Sequence, residues 1–175
     1  YMTDNVIIIP TRLEATRLPN KPIKKINNKE MILHVYEAAK KANIGDVIVA
    51  SPNQQICELI TSEKGICVKT KPDHQTGTDR IFEVFAKFLN KKPQTIINLQ
   101  GDMPNIKPET ILKLEKLMRS NKSDIGTLAS LIKDKSEISD PNIVKVHVNN
   151  SLENEKFLDA KDFFRLKNTL DNNKI

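Results

Sequence analysis

Four short runs dominated by Val and Ile recur along the first hundred residues: "VIII" (Val6 to Ile9), "DVIVA" (Asp46 to Ala50), "ICVKT" (Ile66 to Thr70) and "TIINLQ" (Thr95 to Gln100). Each is continuous rather than alternating, the pattern of a strand buried on both faces. Between and after them lie stretches with helical periodicity, at Met31 to Ala42, Gln54 to Ser62, Asp79 to Asn90 and Pro108 to Ser120. The third places Ile81, Val84, Phe85, Phe88 and Leu89 along one stripe. In the fourth, Pro108 suits the first turn and Glu109 the positive end of the helix dipole. Buried strands alternating with helices predict an α/β fold, a three-layer α/β/α sandwich with a mostly parallel, Rossmann-like sheet and right-handed crossovers. Such sheets take ligands beyond the carboxyl ends of their strands. The loops that start there are the first places to look for chemistry.

Beyond Asn121 the pattern predicts two more strands, Asp124 to Ile132 and Asn142 to Val148, joined by the acidic "DKSEISDP". The tail from Asn149 to Ile175 has Leu158, Phe163 and Phe164 as its apolar anchors, and its last ten residues predict a frayed end. No apolar run reaches the roughly 18 to 20 residues of a membrane span, and the N-terminus lacks signal-peptide architecture. A cytoplasmic protein without a membrane partner is expected. Cys57 and Cys67, spaced unlike a metal knuckle or a redox motif, read as two small, partly buried thiols. The net charge of +6 suits an anionic partner, but the cations are scattered and aromatics make up only 5% of the chain. A nucleic-acid binder concentrates its charge or interleaves it with stacking rings, so no nucleic-acid partner is expected.

Three loops carry candidate chemistry. The first, "PTRLEATRLPNKP", gathers Arg12, Arg17 and Lys21 among three prolines directly after the first strand. Arg offers a planar fork to phosphate oxygens and Lys a point charge, while the prolines stiffen the loop. The competing reading is a solvated basic loop whose arginines pair with Glu14 or Glu37. The second, "DHQTGTDR", combines a permissive Gly77 with Thr76 and Thr78, and Asp79 is placed to cap the helix that follows. A helix N-terminus favours anionic ligands; the plain alternative is a capped loop, with His74 a surface histidine. The third, "LQGDMP", puts Asp102 just past a buried strand, an arrangement that suits Mg2+ held against phosphates or, alternatively, a simple turn. Neither a Walker loop nor GxGxxG is present, which removes the main support for ATPase and dinucleotide readings.

Taken together these stretches resemble the 3-deoxy-manno-octulosonate (KDO) cytidylyltransferases, in the nucleotide-diphospho-sugar transferase class of fold. The family pattern runs IIPARxxSTRLPGKPL, IxHVxExA, VIVATD, HxSGTDR and NVQGDEP; this chain reads "IIIPTRLEATRLPNKPI", "MILHVYEAAKKA", "VIVASP", "HQTGTDR" and "NLQGDMP" in the same order. The resemblance implies transfer of CMP from CTP to KDO with release of pyrophosphate, for lipopolysaccharide biosynthesis, with Mg2+ as cofactor. It further implies that Arg12, Arg17 and Lys21 hold the phosphates, with Thr16 beside them. Pro10 and Thr11, with Gln75, Thr76 and Gly77, would recognise cytosine and ribose. Asp102 would bind Mg2+, Gln100 would lie near the sugar, and Arg12, Lys21 and Asp102 would form the catalytic set. The sialic-acid cytidylyltransferases are a second, related possibility, but their opening loop reads more like ARxGSKxIPxKN.

Four positions depart from the family pattern. Ala15 stands for Ser, Asn20 for Gly, "ASP" (Ala50 to Pro52) for ATD, and Met103 for the Glu of QGDEP. Asn tolerates a left-handed backbone, whereas a lost hydroxyl or carboxylate removes polar contacts worth about 1 kcal/mol each. The family also continues past an ALYFSRxxIP segment, echoed here by "AKDFFR" (Ala160 to Arg165), into HxGxY, LExLEQLR and VDTxxDL stretches that this sequence does not contain. The resemblance therefore implies a nucleotide-binding α/β domain over residues 1–148. Residues 149–175 form a poorly matched tail where the family's dimerisation and sugar-binding segment would start. Without that segment the family's homodimer is not expected. Weak CTP binding with poor or no turnover is expected of the chain alone; the alternative is an inactive or split-gene fragment that needs a partner chain.

Overall fold

In the computed structural model the N-terminal β-branched run becomes β1 (Asn5–Pro10), and the residues described are 5–14, 18–121, 123–149 and 157–165. A 3-10 turn (Lys21–Ile23) and a two-stranded antiparallel hairpin, β2 (Lys25–Ile26) with β3 (Lys29–Glu30), lead into α1 (Met31–Ala42). There follow β4 (Asp46–Ser51), α2 (Gln54–Ser62), β5 (Ile66–Lys69), α3 (Gly77–Lys87), β6 (Thr95–Asn98) and α4 (Pro108–Ser120). A short α5 (Ser136–Ser139) precedes β7 (Lys145–Val148) and β8 (Ala160–Phe164). The chain divides into two compact units, Tyr1–Lys113 and Leu114–Ile175.

In the first unit the sheet has the order β5-β4-β1-β6, and every neighbouring pair is parallel. Alternation along β1 divides the core in two. Ile7 and Ile9 face α1, α2 and the start of α4, packing with Ile32, Val35, Val49, Ile56, Ile60 and Ile111. Val6 and Ile8 face α3, packing with Ile48, Ala50, Ile81 and Val84. Helices cover both faces, which makes the three-layer sandwich expected from the continuous apolar runs. Among the described residues no helix is long and apolar enough to cross a membrane.

Three local expectations are corrected. The third helix begins at Gly77 and ends at Lys87, not Asp79 to Asn90. Its N-cap is Thr76, whose hydroxyl accepts the Asp79 N–H at 3.1 Å while Asp79 accepts the Thr76 N–H at 3.0 Å. Asp79 is thus the N3 partner of a capping box rather than the cap itself. The strand expected at Asp124 to Ile132 does not form; after a bend at Asp124 this stretch has no regular secondary structure, and Ile125 is 90% exposed. Apolar composition favours a strand only where a neighbour supplies pairing and cover. Cys57 and Cys67 form a disulfide and are not free thiols, because α2 packs against the strand that follows it and brings their Cα atoms to 5.1 Å. Sequence spacing carries no record of that tertiary approach.

The second unit is held by a hairpin. β7 begins at Lys145, three residues later than expected, and pairs antiparallel with β8, which contains the "AKDFF" echo. The buried Lys145 ammonium donates to the carbonyls of Asp140, Ile143 (2.9 Å) and Arg165 (2.7 Å), so one cation satisfies three carbonyls and ties the loop before β7 to the end of β8.

Candidate functional site

The chain goes from β1 to one side for β4 and β5, then returns to the other side for β6. Past the carboxyl ends of β1 and β6 this leaves the crevice where open α/β sheets hold ligands. A cavity of about 240 Å3 lies there, lined by Pro10, Thr11, Arg12 and Lys21 from the first loop. His74, Gln75, Thr76, Gly77 and Arg80 form a second wall, and Gln100, Gly101 and Asp102 a third. Of the residues singled out in the sequence, Thr16 and Arg17 lie outside the described residues, as does Ala15. The other nine surround this one cavity.

Local structure explains the convergence. Thr11 continues the β1 ladder by donating to the Ala50 carbonyl at 3.0 Å, and its side chain is buried. The loop then folds back, with the Asn20 N–H donating to the Leu13 carbonyl at 3.0 Å and Asn20 itself left-handed at φ 58°. Asn at this family Gly position keeps the turn without a glycine. Lys21 opens the 3-10 turn with Pro22 buried behind it, and its ammonium reaches the Asp102 carboxylate at 3.1 Å. Gly101 makes that approach feasible, since a Cβ there would sit 3.1 Å from both the Pro10 carbonyl oxygen and Thr11 Cβ. At Gly77 a Cβ would lie 3.1 Å from Pro10 Cγ, so the second wall also rests on the first. Gln100 donates to Asn98 at 2.7 Å along the exposed side of β6.

The pairing expected of a merely solvated loop is absent among the described residues. Glu14 accepts from the Asn53 amide at 2.8 Å and Glu37 from Lys29 at 2.6 Å, and neither forms an ion pair with Arg12. The Asn53 hydrogen bond is the main cause holding the Glu14 carboxyl below its ordinary range.

Sequence reasoning passed over Arg80 and Glu83, and took His74 for a surface residue. His74 is half-buried, and its Nε2 lies 2.6 Å from Glu83 Oε2. Arg80 is 3% exposed and donates to the Thr70 hydroxyl and to the Lys71 carbonyl at 2.8 Å. Burial first, and then the Arg12 charge, lower the pKa of its guanidinium. Glu83 is also buried and accepts the Lys71 N–H at 2.9 Å and the Lys87 ammonium at 3.2 Å. A signal was available: both charges directly precede core positions, Ile81 and Val84, at helical spacing.

The His74 contact, followed by the Lys71 N–H, pulls the Glu83 pKa from 4.5 to about 2. A folded-state pKa below the unfolded one means that the charged carboxylate stabilises the fold above pH 4.5, and that this contribution disappears as pH falls towards 2. Urea midpoints between pH 6 and pH 2.5 should therefore fall less steeply in Glu83→Gln than in the parent. Parallel curves would show that Glu83 contributes nothing to acid lability.

The cytidylyltransferase family model matches residues 6–173. A 3-deoxy-manno-octulosonate cytidylyltransferase from Nitrobacter winogradskyi is 41% identical over 147 residues, which cover 82% of this chain and 58% of that protein. One of the same name from Bartonella henselae is 39% identical over 142 residues, 81% of this chain and 58% of its own length. The chain thus spans 58% of these curated relatives. Among solved structures, a CMP:2-keto-3-deoxy-manno-octonic acid synthetase complexed with CTP superposes with a TM-score of 0.78 at 33% identity, covering 97% of this chain and 67% of that one. A family match that runs from β1 through all three cavity-lining loops places this chain in the cytidylyltransferase family.

Proposed function

We propose that this chain binds CTP at the β1–β6 crevice and serves the transfer of CMP to KDO, releasing pyrophosphate. The observation that carries the reading is the meeting of Arg12, Lys21 and Asp102 with the Thr76–Gly77 helix start around one cavity. Support comes from relatives that bear the KDO cytidylyltransferase name over four-fifths of the chain. In such a reaction a sugar hydroxyl attacks the α-phosphate in line, and catalysis rests on positioning and charge neutralisation. Arg12, Lys21 and Arg17 would hold the phosphates, with Thr16 alongside. Pro10, Thr11 and the Gln75–Gly77 edge would meet the nucleoside, and Gln100 the acceptor sugar. The cytoplasm is the compartment this reading implies, and there the Cys57–Cys67 pair would meet a reducing thiol pool.

Mg2+ is commonly held by one or two carboxylates together with substrate phosphates. Asp102 supplies one such carboxylate, 59% exposed, and among the described residues no cluster of three or more His, Cys, Asp or Glu forms a self-sufficient cage. This donor set fits an ion that is bound jointly with nucleotide phosphates, and Asp102 would hold it. Mg2+ there would supply charge neutralisation on phosphate oxygens. Lys21 would exchange its contact with Asp102 for one with phosphate.

Calorimetry with CTP, UTP, ATP and GTP, each with Mg2+ or EDTA, tests the reading. CTP should bind tightest, Mg2+ should strengthen it, and Asp102→Asn should remove about tenfold of that gain, one charge-assisted contact. Equal affinity for all four nucleotides would overturn the assignment.

A further inference from the structure

The described residues hold one buried ionic cluster against the cavity whose role the phosphate grip does not explain. Arg80 and Glu83, one helical turn apart on α3, grip the same residue from both sides. Arg80 donates to the Lys71 carbonyl at 2.8 Å and Glu83 accepts the Lys71 N–H at 2.9 Å. The loop after β5 is thereby fastened to the helix it feeds. The same Glu83 oxygen that takes the Lys71 N–H lies 2.6 Å from His74 Nε2, and His74 lines the cavity beside Gln75, Thr76 and Gly77.

We propose that Glu83 is a positioning residue that holds His74 with Nε2 protonated and Nδ1 bare, so that this wall offers a hydrogen-bond acceptor to the hydroxyl or amino groups of a nucleoside. An ionised carboxylate only accepts hydrogen bonds, so a neutral imidazole 2.6 Å away must present Nε2–H to it. Lys71 and Lys87 keep the carboxylate ionised from two further sides. In that neutral form the remaining ring nitrogen is an acceptor. Phosphate oxygens at neutral pH are acceptors too and gain nothing from it, whereas ribose hydroxyls and an exocyclic amine are donors. The wall therefore selects for the nucleoside end of the ligand, while Arg12 and Lys21 attract the other. This deepens the nucleotide reading above and rests on it.

Two measurements test it. Long-range 15N–1H spectra of the chain, which has three histidines, report the His74 tautomer directly. Affinities for CTP and for inorganic tripolyphosphate, taken side by side, report which end of the ligand is affected. The parent should show His74 protonated on Nε2. Glu83→Gln, whose amide can donate as well as accept, should populate both tautomers and weaken CTP by about tenfold, with tripolyphosphate changed less than about twofold. His74→Phe, which leaves Glu83 its contacts with Lys71 and Lys87, should show the same selective loss even where Glu83→Gln folds poorly. An Nδ1–H tautomer or a ring carrying both protons in the parent at neutral pH, or equal weakening of both ligands in both variants, overturns the positioning role alone. A parent that binds CTP no more tightly than tripolyphosphate overturns the nucleotide reading and this inference with it.

Discussion

Arg12→Ala is expected to weaken CTP binding by about 10- to 100-fold while leaving the unliganded protein at least as stable as before. The affinity loss follows from a guanidinium–phosphate fork, whose charge-assisted hydrogen bonds contribute about 1.5 to 3 kcal/mol, with roughly 1.4 kcal/mol per factor of ten. The stability expectation follows from what surrounds Arg12 without ligand. It forms no ion pair with Glu14 or Glu37; its charge acts unfavourably on the buried Arg80 and, more weakly through solvent, favourably on the exposed Glu14. Removing it relieves like-charge repulsion at a buried group, forfeits only a solvent-screened attraction to an exposed carboxylate, and leaves no buried polar group behind. Arg12→Lys should recover only part of the affinity, because a point charge lacks the planar fork. Calorimetry and thermal melts on the same samples check both halves. A large fall in midpoint with unchanged affinity would show that Arg12 serves the fold instead.

The largest stability effect is expected at the centre of the sheet. Ile7 is fully buried, pairs in register with Val47 on one side and Ile97 on the other, and packs in the larger core cluster. Ile7→Ala should cost about 3 to 4 kcal/mol, the lost transfer energy plus a cavity that hydrogen-bonded strands on both sides cannot collapse. Ile66→Ala on the edge strand β5, where the side chain is 53% exposed, should cost less than about 1 kcal/mol. Urea unfolding of the two variants measures the contrast. Similar losses at both positions would mean that β1 is not the central core strand.

Much of the fold was legible in the residues because the relevant forces are local or periodic. Met31 to Ala42, Gln54 to Ser62 and Pro108 to Ser120 are helices with the bounds the periodicity predicts, and the four β-branched runs are the four strands of the parallel sheet. The start of α3 was misplaced by two residues, since Thr76 and Asp79 are both competent caps and only the reciprocal hydrogen bonds decide between them. The segment from Asp124 to Ile132 has strand-like composition, yet nothing pairs with it among the described residues.

The candidate site divides along the same line. Sequence alone singled out the loops that line the cavity, because Arg12, Gly77 and Asp102 follow buried strands or open a helix, positions that hydrophobic periodicity reveals, and Lys21 lies in the same loop as Arg12. Only the tertiary structure decided which groups meet. The strand order puts Asp102 beside Lys21 across 81 positions of chain, and the packing of α2 on β5 joins Cys57 to Cys67. Burial of α3 turns Arg80 and Glu83 from ordinary helix charges into the clasp of the Lys71–Gly77 loop. A charge three residues from another is compatible with a solvated face or a buried network; the neighbours that choose between them come from distant parts of the chain, and chain packing brings them there.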